Sequence, residues 1–336
     1  MGSQSLPATP PLVPAAGLLD PQAPAEIFDY RQAANPVRAG LTEPIPLRRW
    51  SPDLYASGPT AQLPLDLSAV LGCGVPATSP ALAAHFLRIL AGESLEAAAS
   101  ATSSLFYVMR GKGRLHRRAA AAAGGGHDLA FEWGAGDLFV LPWGEAPQLE
   151  AQEESVLYWV HDGPLLAYLG VAPSTARFRP CHYPAARLER ELDHLLADPA
   201  ASRGNRLSLL LASADCPASR TVTHTLWAML GLVPPGALQP PHRHQSVALD
   251  LILDCDPGCH TLVGRELAAD GTILNPERID WQPGGVFVTP PGYWHAHVND
   301  GARMARLLPI QDAGLHTYLR SLDIRFASGS AGGGDC

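Results

Sequence analysis

Four histidines fall into two pairs of equal spacing, His242 with His244 and His295 with His297. In an extended strand, residues two apart project to one face, so each pair presents two imidazoles together. Pro240 and Pro241 precede the first pair, and Pro290 and Pro291 the second, which keeps the backbone extended at both places. Two such pairs, from segments far apart in the chain, can converge inside a β-barrel on one metal ion. Imidazole suits iron, nickel, copper and zinc alike, so the ligand type does not name the metal. Three neutral ligands leave the full charge on a divalent ion and keep coordination positions open for a chelating, partly anionic ligand. A lone His-x-His is more simply a polar surface or core pair.

The elements that must carry these residues are short. Gly and Pro contribute 32 residues each to a chain of 336, a density that favours strands joined by turns over long helices. His85 to Leu90, Leu105 to Met109, Leu138 to Leu141 and Val156 to Val160 have the apolar character of strands. Thr225 to Leu232, Ala248 to Leu253, Cys259 to Val263 and Val286 to Thr289 do so in the second half. Leu165 to Leu169 suits a short helix. Residues 184–197 suit a longer one, with Pro184 in its first turn and Leu188, Leu192 and Leu195 in one stripe. The two halves repeat. Gly136-Asp137-Leu138-Phe139-Val140-Leu141-Pro142 matches Gly284-Gly285-Val286-Phe287-Val288-Thr289-Pro290, and Trp133 and Trp281 precede them at equal distance. A period of roughly 145 residues indicates a duplicated domain rather than a solenoid unit. Aligned this way, Ala99 and Ala101 occupy the first His-x-His positions and Pro147 that of His295, so the first half is expected to hold no metal.

The formal net charge is −8 with no Lys/Arg cluster, which argues against nucleic acid and anionic membranes as partners. The six cysteines are scattered, and no basic segment followed by an apolar core opens the chain. A cytoplasmic protein is therefore expected. Cys255-Asp256-Pro257-Gly258-Cys259-His260 is better suited to a turn between strands than to a metal cluster. Asn299 is expected to fix backbone near the site rather than touch ligand.

The stretch from Pro240 to Asn299 resembles the cupin superfamily. Gly236, five residues, then His242-x-His244 fits that family's first motif, and Gly284, Pro290, Gly292, His295 and Asn299 fit its second. The glutamate usual in the first motif is replaced by Ala248 or Leu249. By resemblance, His242, His244 and His295 are the metal ligands. Lacking the glutamate, the second half is similar to the gentisate 1,2-dioxygenase family, with its salicylate and 1-hydroxy-2-naphthoate relatives. Pro-His-Arg-His, Ser246 to Leu249, Trp294 to His297, Thr102 to Val108 and Phe131 to Asp137 carry that likeness. It implies Fe(II), with zinc, nickel or manganese as other divalent possibilities, and oxidative cleavage of a hydroxylated aromatic ring by O2. His297 is then an acid/base group beside the iron, and Asp250, Gln245 and Trp294 are substrate-binding candidates. Two departures stand out. Asp250 replaces an arginine that meets the substrate carboxylate in the family, and it invites an amine, a hydroxyl donor, or an internal arginine such as Arg243 or Arg265. The ligands also lie in the second barrel, where the family's first is expected to hold iron.

The expected fold is all-β: two double-stranded β-helix (cupin, jelly-roll-like) barrels with a short helical connector. Residues 1–45 are expected as a flexible Pro-rich arm and 46–180 as a metal-free barrel. Residues 181–200 are the connector helix, 201–326 the metal-binding barrel and 327–336 a flexible tail. The expected partners are a small aromatic substrate, O2, and copies of the chain in a homodimer or homotetramer. The alternative is a metal-binding bicupin with a non-oxygenase role, either small-molecule binding and sensing or isomerase/hydrolase chemistry.

Overall fold

The computed structural model describes residues 22, 24–33, 40–119, 128–201 and 206–327. The expected arm and the expected tail fall mostly outside them.

The chain forms two antiparallel barrels, each from a six-stranded sheet facing a smaller one. In the first barrel the large sheet runs Cys181–Tyr183, Leu138–Pro142, Ser103–Arg110, Ser155–His161, Ala83–Ile89, Ala61–Pro64. Its partner sheet has four strands, Ser94–Glu96, Gln148–Ala151, Lys112–Arg117 and Leu129–Gly134. In the second barrel the large sheet runs Arg49–Trp50, Val286–Thr289, Ala248–Asp254, Ala305–Gln311, Trp227–Val233, Leu207–Leu211. Five strands face it: Glu277–Asp280, His260–Gly264, Trp294–Val298, His242–Arg243 and Arg325–Phe326. Among the described residues no helix is long and apolar enough to cross a membrane.

Strand alternation sorts the side chains into three cores. Phe86, Val156, Tyr158 and Val160 of the first barrel meet Leu230, Leu249, Leu251 and Ile310 of the second in one buried cluster, so the two large sheets pack back to back. The other face of the first barrel's strands sends Leu87, Phe106, Leu157 and Trp159 into that barrel with Trp133 and Phe139. Ile252, Phe287, Leu307 and Trp281 do the same in the second. Burial on both faces explains why these strands read as unbroken apolar runs rather than alternating ones. The helix Ala185–Ala197 begins where Asp137 Oδ1 accepts the Ala185 N–H at 2.7 Å, and it buries Leu188 and Leu192.

Two segments lie differently from the expected division. Arg49 and Trp50, expected in the first barrel, pair with Phe287 and Val286 on the edge of the second. Tyr55 anchors this crossover: its hydroxyl donates to Gly284 O at 3.0 Å while its ring packs on Phe86 of the first barrel. Cys181–Tyr183, expected in the connector, is an edge strand of the first barrel, paired with Leu138 to Val140. Register also moves the repeat by one residue. His161 opposes Ser104 as Gln311 opposes Ala248, which puts Ala98 and Ser100, rather than Ala99 and Ala101, opposite His242 and His244. None of these four residues is a metal-ligand type.

Asp162 joins the barrels. Its Oδ1 accepts the N–H groups of Thr102 and Ser103 at 2.8 and 3.1 Å, and its Oδ2 lies 3.0 Å from the Thr225 hydroxyl of the second barrel. Replacing it with alanine strands two buried N–H donors and is expected to cost about 3 kcal/mol or more. Asp162→Asn keeps one acceptor and is expected to lose less. Urea denaturation of both variants checks the order.

Candidate metal centre

His242 sits on a strand of only two residues, held between Trp294–Val298 and Arg325–Phe326. It pairs directly with His295, and the two ring centroids are 3.9 Å apart. His244 lies 5.0 Å from His295 and 5.6 Å from His242 by centroid. One nitrogen from each of the three lies within 4.8 Å of the others, and all three side chains are buried.

Two of the three rings have the nitrogen that faces the centre fixed. His244 Nδ1 donates to Ser246 O at 2.9 Å and His295 Nδ1 to Tyr293 O at 3.1 Å, so each Nε2 keeps its lone pair, the arrangement that protein-bound metals use. His242 Nδ1 lies 3.2 Å from His295 O and is also reached by the Arg206 guanidinium, two partners that call for opposite tautomers. His244 Nε2 is buried and has no hydrogen-bond partner among the described residues. Burial also keeps the rings neutral. It holds His244 at about 4, and His242 and His295 well below the ordinary imidazole value; the Arg206 charge works in the same direction. Three neutral, oriented imidazoles, one with an orphaned nitrogen, fit a divalent metal.

The space beside them is the interior of the second barrel. Arg206, Gln239, Asp250, His297 and Gln311 line it with His242 and His295. Its free volume is about 20 Å³, room for roughly one water. His297, inward by the same alternation as His295, has Nδ1 2.9 Å from Thr261 Oγ1. That oxygen accepts the Trp281 indole N–H at 2.8 Å. Burial lowers His297 to about 3. Asp250 is inward as well, 2 % exposed, with Oδ2 accepting the Thr289 hydroxyl at 2.8 Å. Burial raises it to about 7, and the Thr289 bond opposes the rise. The structure therefore gathers His242, His244, His295, His297 and Asp250 around one space.

Two expected substrate contacts lie elsewhere. Gln245 is exposed, and its Oε1 accepts the Asp323 N–H at 2.7 Å, because the turn after His244 carries it outward. Trp294 occupies the face of its strand opposite to His295 and stacks under Arg243 at 5.1 Å. Arg265 stacks on Tyr293 at 5.1 Å, so neither arginine expected near Asp250 reaches it. Asn299 does fix backbone: its Nδ2 donates to Val233 O at 2.7 Å and Arg303 O at 2.8 Å. Sequence reasoning missed Arg206 and Gln239. Arg206 bonds to Pro240 O at 3.1 Å and to His242 Nδ1, and burial lowers it to about 10. A basic residue opening the apolar run Leu207 to Leu211 was its one available signal.

No protein-family model matches the chain. Over 100 residues it is 33% identical to gentisate 1,2 dioxygenase 1 of Aquipseudomonas alcaligenes, a match covering 30% of this chain and 25% of that relative's length. In fold it is similar to the salicylate 1,2-dioxygenase of Pseudaminobacter salicylatoxidans, with TM-score 0.63 and 14% identity over 85% of this chain and 89% of that one. A structure of that enzyme with gentisate gives TM-score 0.65 at 11% identity, covering 90% and 91%. A mutant oxalate decarboxylase of Bacillus subtilis gives 0.53 at 18%, covering 78% and 76%. The chain has the two-barrel fold of these structures and, over about 100 residues, a sequence similar to a gentisate 1,2 dioxygenase.

Asp250 should impose a pH dependence on stability. The folded carboxyl, at about 7, binds its proton more tightly than the unfolded one, whose ordinary value is 3.8. Its stabilising share is complete below the lower value and is lost as pH rises through the higher, by up to roughly 4 kcal/mol. Asp312, pushed to about 7 by burial, adds slope of the same sign. Asp250→Asn is expected to gain stability over the parent progressively as pH is raised through this window. Denaturation midpoints followed against pH check it; parallel curves for the two proteins would contradict it.

Proposed function

We propose that this chain is a non-haem iron(II) dioxygenase that cleaves a hydroxylated aromatic ring with O2, with iron held by His242, His244 and His295. The observation that carries this reading is the set of three buried imidazoles converging within 4.8 Å, with His244 and His295 giving their Nδ1 hydrogens to carbonyls. The likeness to gentisate and salicylate 1,2-dioxygenases supports the choice of reaction. When bound, iron(II) on three neutral ligands supplies Lewis acidity and open positions for a chelating substrate and dioxygen.

The chain's own groups then divide the remaining work. Arg206 remains a cation despite its burial, and it supplies the charge that receives a substrate carboxylate. His242 Nδ1 cannot both donate to His295 O and accept from Arg206, so a metal-ligating His242 requires the guanidinium to leave that nitrogen, and the cavity, with room for about one water, must widen to admit a ring. His297 is neutral, and the Thr261 and Trp281 pair fixes its ring, which suits it to take a phenolic proton. The barrel wall excludes bulk water from the site.

A second reading is a bicupin of non-oxygenase function using zinc, nickel or manganese. The fold shared with an oxalate decarboxylase favours it, as does a carboxyl at Asp250. Metal analysis and oxygen-electrode assays across hydroxylated aromatic acids separate the two. The expected result is about one iron per chain and O2 uptake, both lost in His244→Ala. Arg206→Ala is expected to keep its metal while KM for carboxylated substrates rises about tenfold or more. Iron-loaded protein that consumes no O2 with any ring would leave the second reading.

A further inference from the structure

Asp250 is hard to explain as packing. The strand register that aligns Gln311 with His161 places Asp250 opposite Phe106 of the first barrel. There the same wall position holds an aromatic ring, stacked 4.9 Å from Phe139 and 5.6 Å from Trp159. An apolar residue thus satisfies this scaffold at that point. The second barrel instead buries a carboxyl, which costs free energy unless a partner compensates it. Thr289 satisfies Oδ2 alone; Oδ1 has no hydrogen bond, and Asp250 has no ion-pair partner, among the described residues. Arg206 lines the same cavity, at the side of the histidines. The cavity is bipolar, with cationic character beside the metal ligands and a carboxyl in the large-sheet wall.

We propose that Asp250 determines specificity by accepting a hydrogen bond from a ring substituent of the substrate, an amino or hydroxyl group, while the substrate's anionic end faces Arg206 and the metal. This rests on the reading that the cavity beside the three histidines is the substrate site. The ligand class is a hydroxylated aromatic acid bearing an N–H or O–H donor away from its carboxylate. A second carboxylate at that end would meet a buried carboxyl and is disfavoured. A ring lacking the donor leaves both Asp250 and the cavity wall unsatisfied, the situation in which sites discriminate most strongly.

The test is anaerobic calorimetry on the zinc-loaded protein, so that binding is read apart from turnover. Three ligands serve as probes: salicylate, its 5-amino derivative and its 5-hydroxy derivative, gentisate. The parent is expected to bind at least one donor-bearing ligand about tenfold or more tightly than salicylate, and the two donor arms tell amine from hydroxyl. Asp250→Ala is expected to bring that ratio close to one, with zinc content read in parallel to show that the metal site survives. Asp250→Asn keeps an acceptor oxygen, is expected to retain part of the ratio, and provides a folded variant if the alanine form does not fold. Equal affinities in the parent, or a preference that survives in every folded variant, would overturn the proposal. Oxygen uptake by the iron-loaded parent is measured separately. A donor preference without uptake sinks the dioxygenase reading and leaves this inference standing.

Discussion

The site depends on where three imidazole hydrogens go. A histidine offers a lone pair to a metal from one nitrogen when the hydrogen on the other has an acceptor. His244 and His295 find theirs two residues away in their own segments, at Ser246 O and Tyr293 O. His242 finds its acceptor across the strand pair, at His295 O. The last bond ties the site to tertiary structure, because it exists only while the strand at His242 is in register with Trp294–Val298. That strand is two residues long and could not persist alone. Arg325–Phe326 closes its other edge, and Ala327 N–H reaches Pro241 O at 2.9 Å. A slip of one residue would turn His242 away from the cavity and bring Arg243 in.

The duplicated scaffold puts its two interiors to different uses. In both barrels a strand of the large sheet is followed by an aspartate that precedes a short helix and receives N–H groups at the start of the neighbouring strand, Asp162 from Thr102 and Ser103, and Asp312 from Val247. The frame is thus held in the same way twice. Inside, the first barrel is filled by Phe106, Phe139, Trp133 and Trp159, with a neutral His85–His161 pair 3.2 Å apart at one end. Burial lowers these two histidines to about 4 and about 3. The second barrel exchanges aromatic bulk for Asp250, Gln311 and four histidines. Polar groups in so small a volume cost stability, and the solid first barrel, joined to the second through one shared apolar cluster, provides the packing that offsets it.

Most of the frame could be read from the residues because both faces of the large sheets are buried. Continuous runs such as Val156 to Val160 and Val286 to Val288 leave little choice but a strand, and the runs recur with the repeat. The histidines were legible because a period of two fixes their face. That same rule, applied to Trp294, would have turned it outward, one position from His295. What stayed hidden was long-range. Nothing local says that Arg49 and Trp50 cross to the second barrel, since their partners Phe287 and Val286 lie far along the chain. Nothing in the spacing ties Arg206 to His242 either. Gln245 was misplaced because the chain leaves the strand directly after His244, and alternation no longer applies.

Arg206 shows how an electrostatic demand and a geometric one meet in the same atoms. Its guanidinium lies within bonding reach of His242 Nδ1, the nitrogen whose hydrogen His295 O also claims. A guanidinium can only donate, so it is satisfied at that nitrogen only if the hydrogen sits on Nε2, the tautomer that cannot ligate. The ligating tautomer therefore expels Arg206 from His242. Arg206 keeps its bond to Pro240 O at 3.1 Å, and its buried charge lines the cavity beside the histidines. An anionic ligand in the cavity is favoured by that charge. The ligating state of His242 and the readiness of Arg206 to bind a carboxylate are thus two consequences of the position of one hydrogen atom.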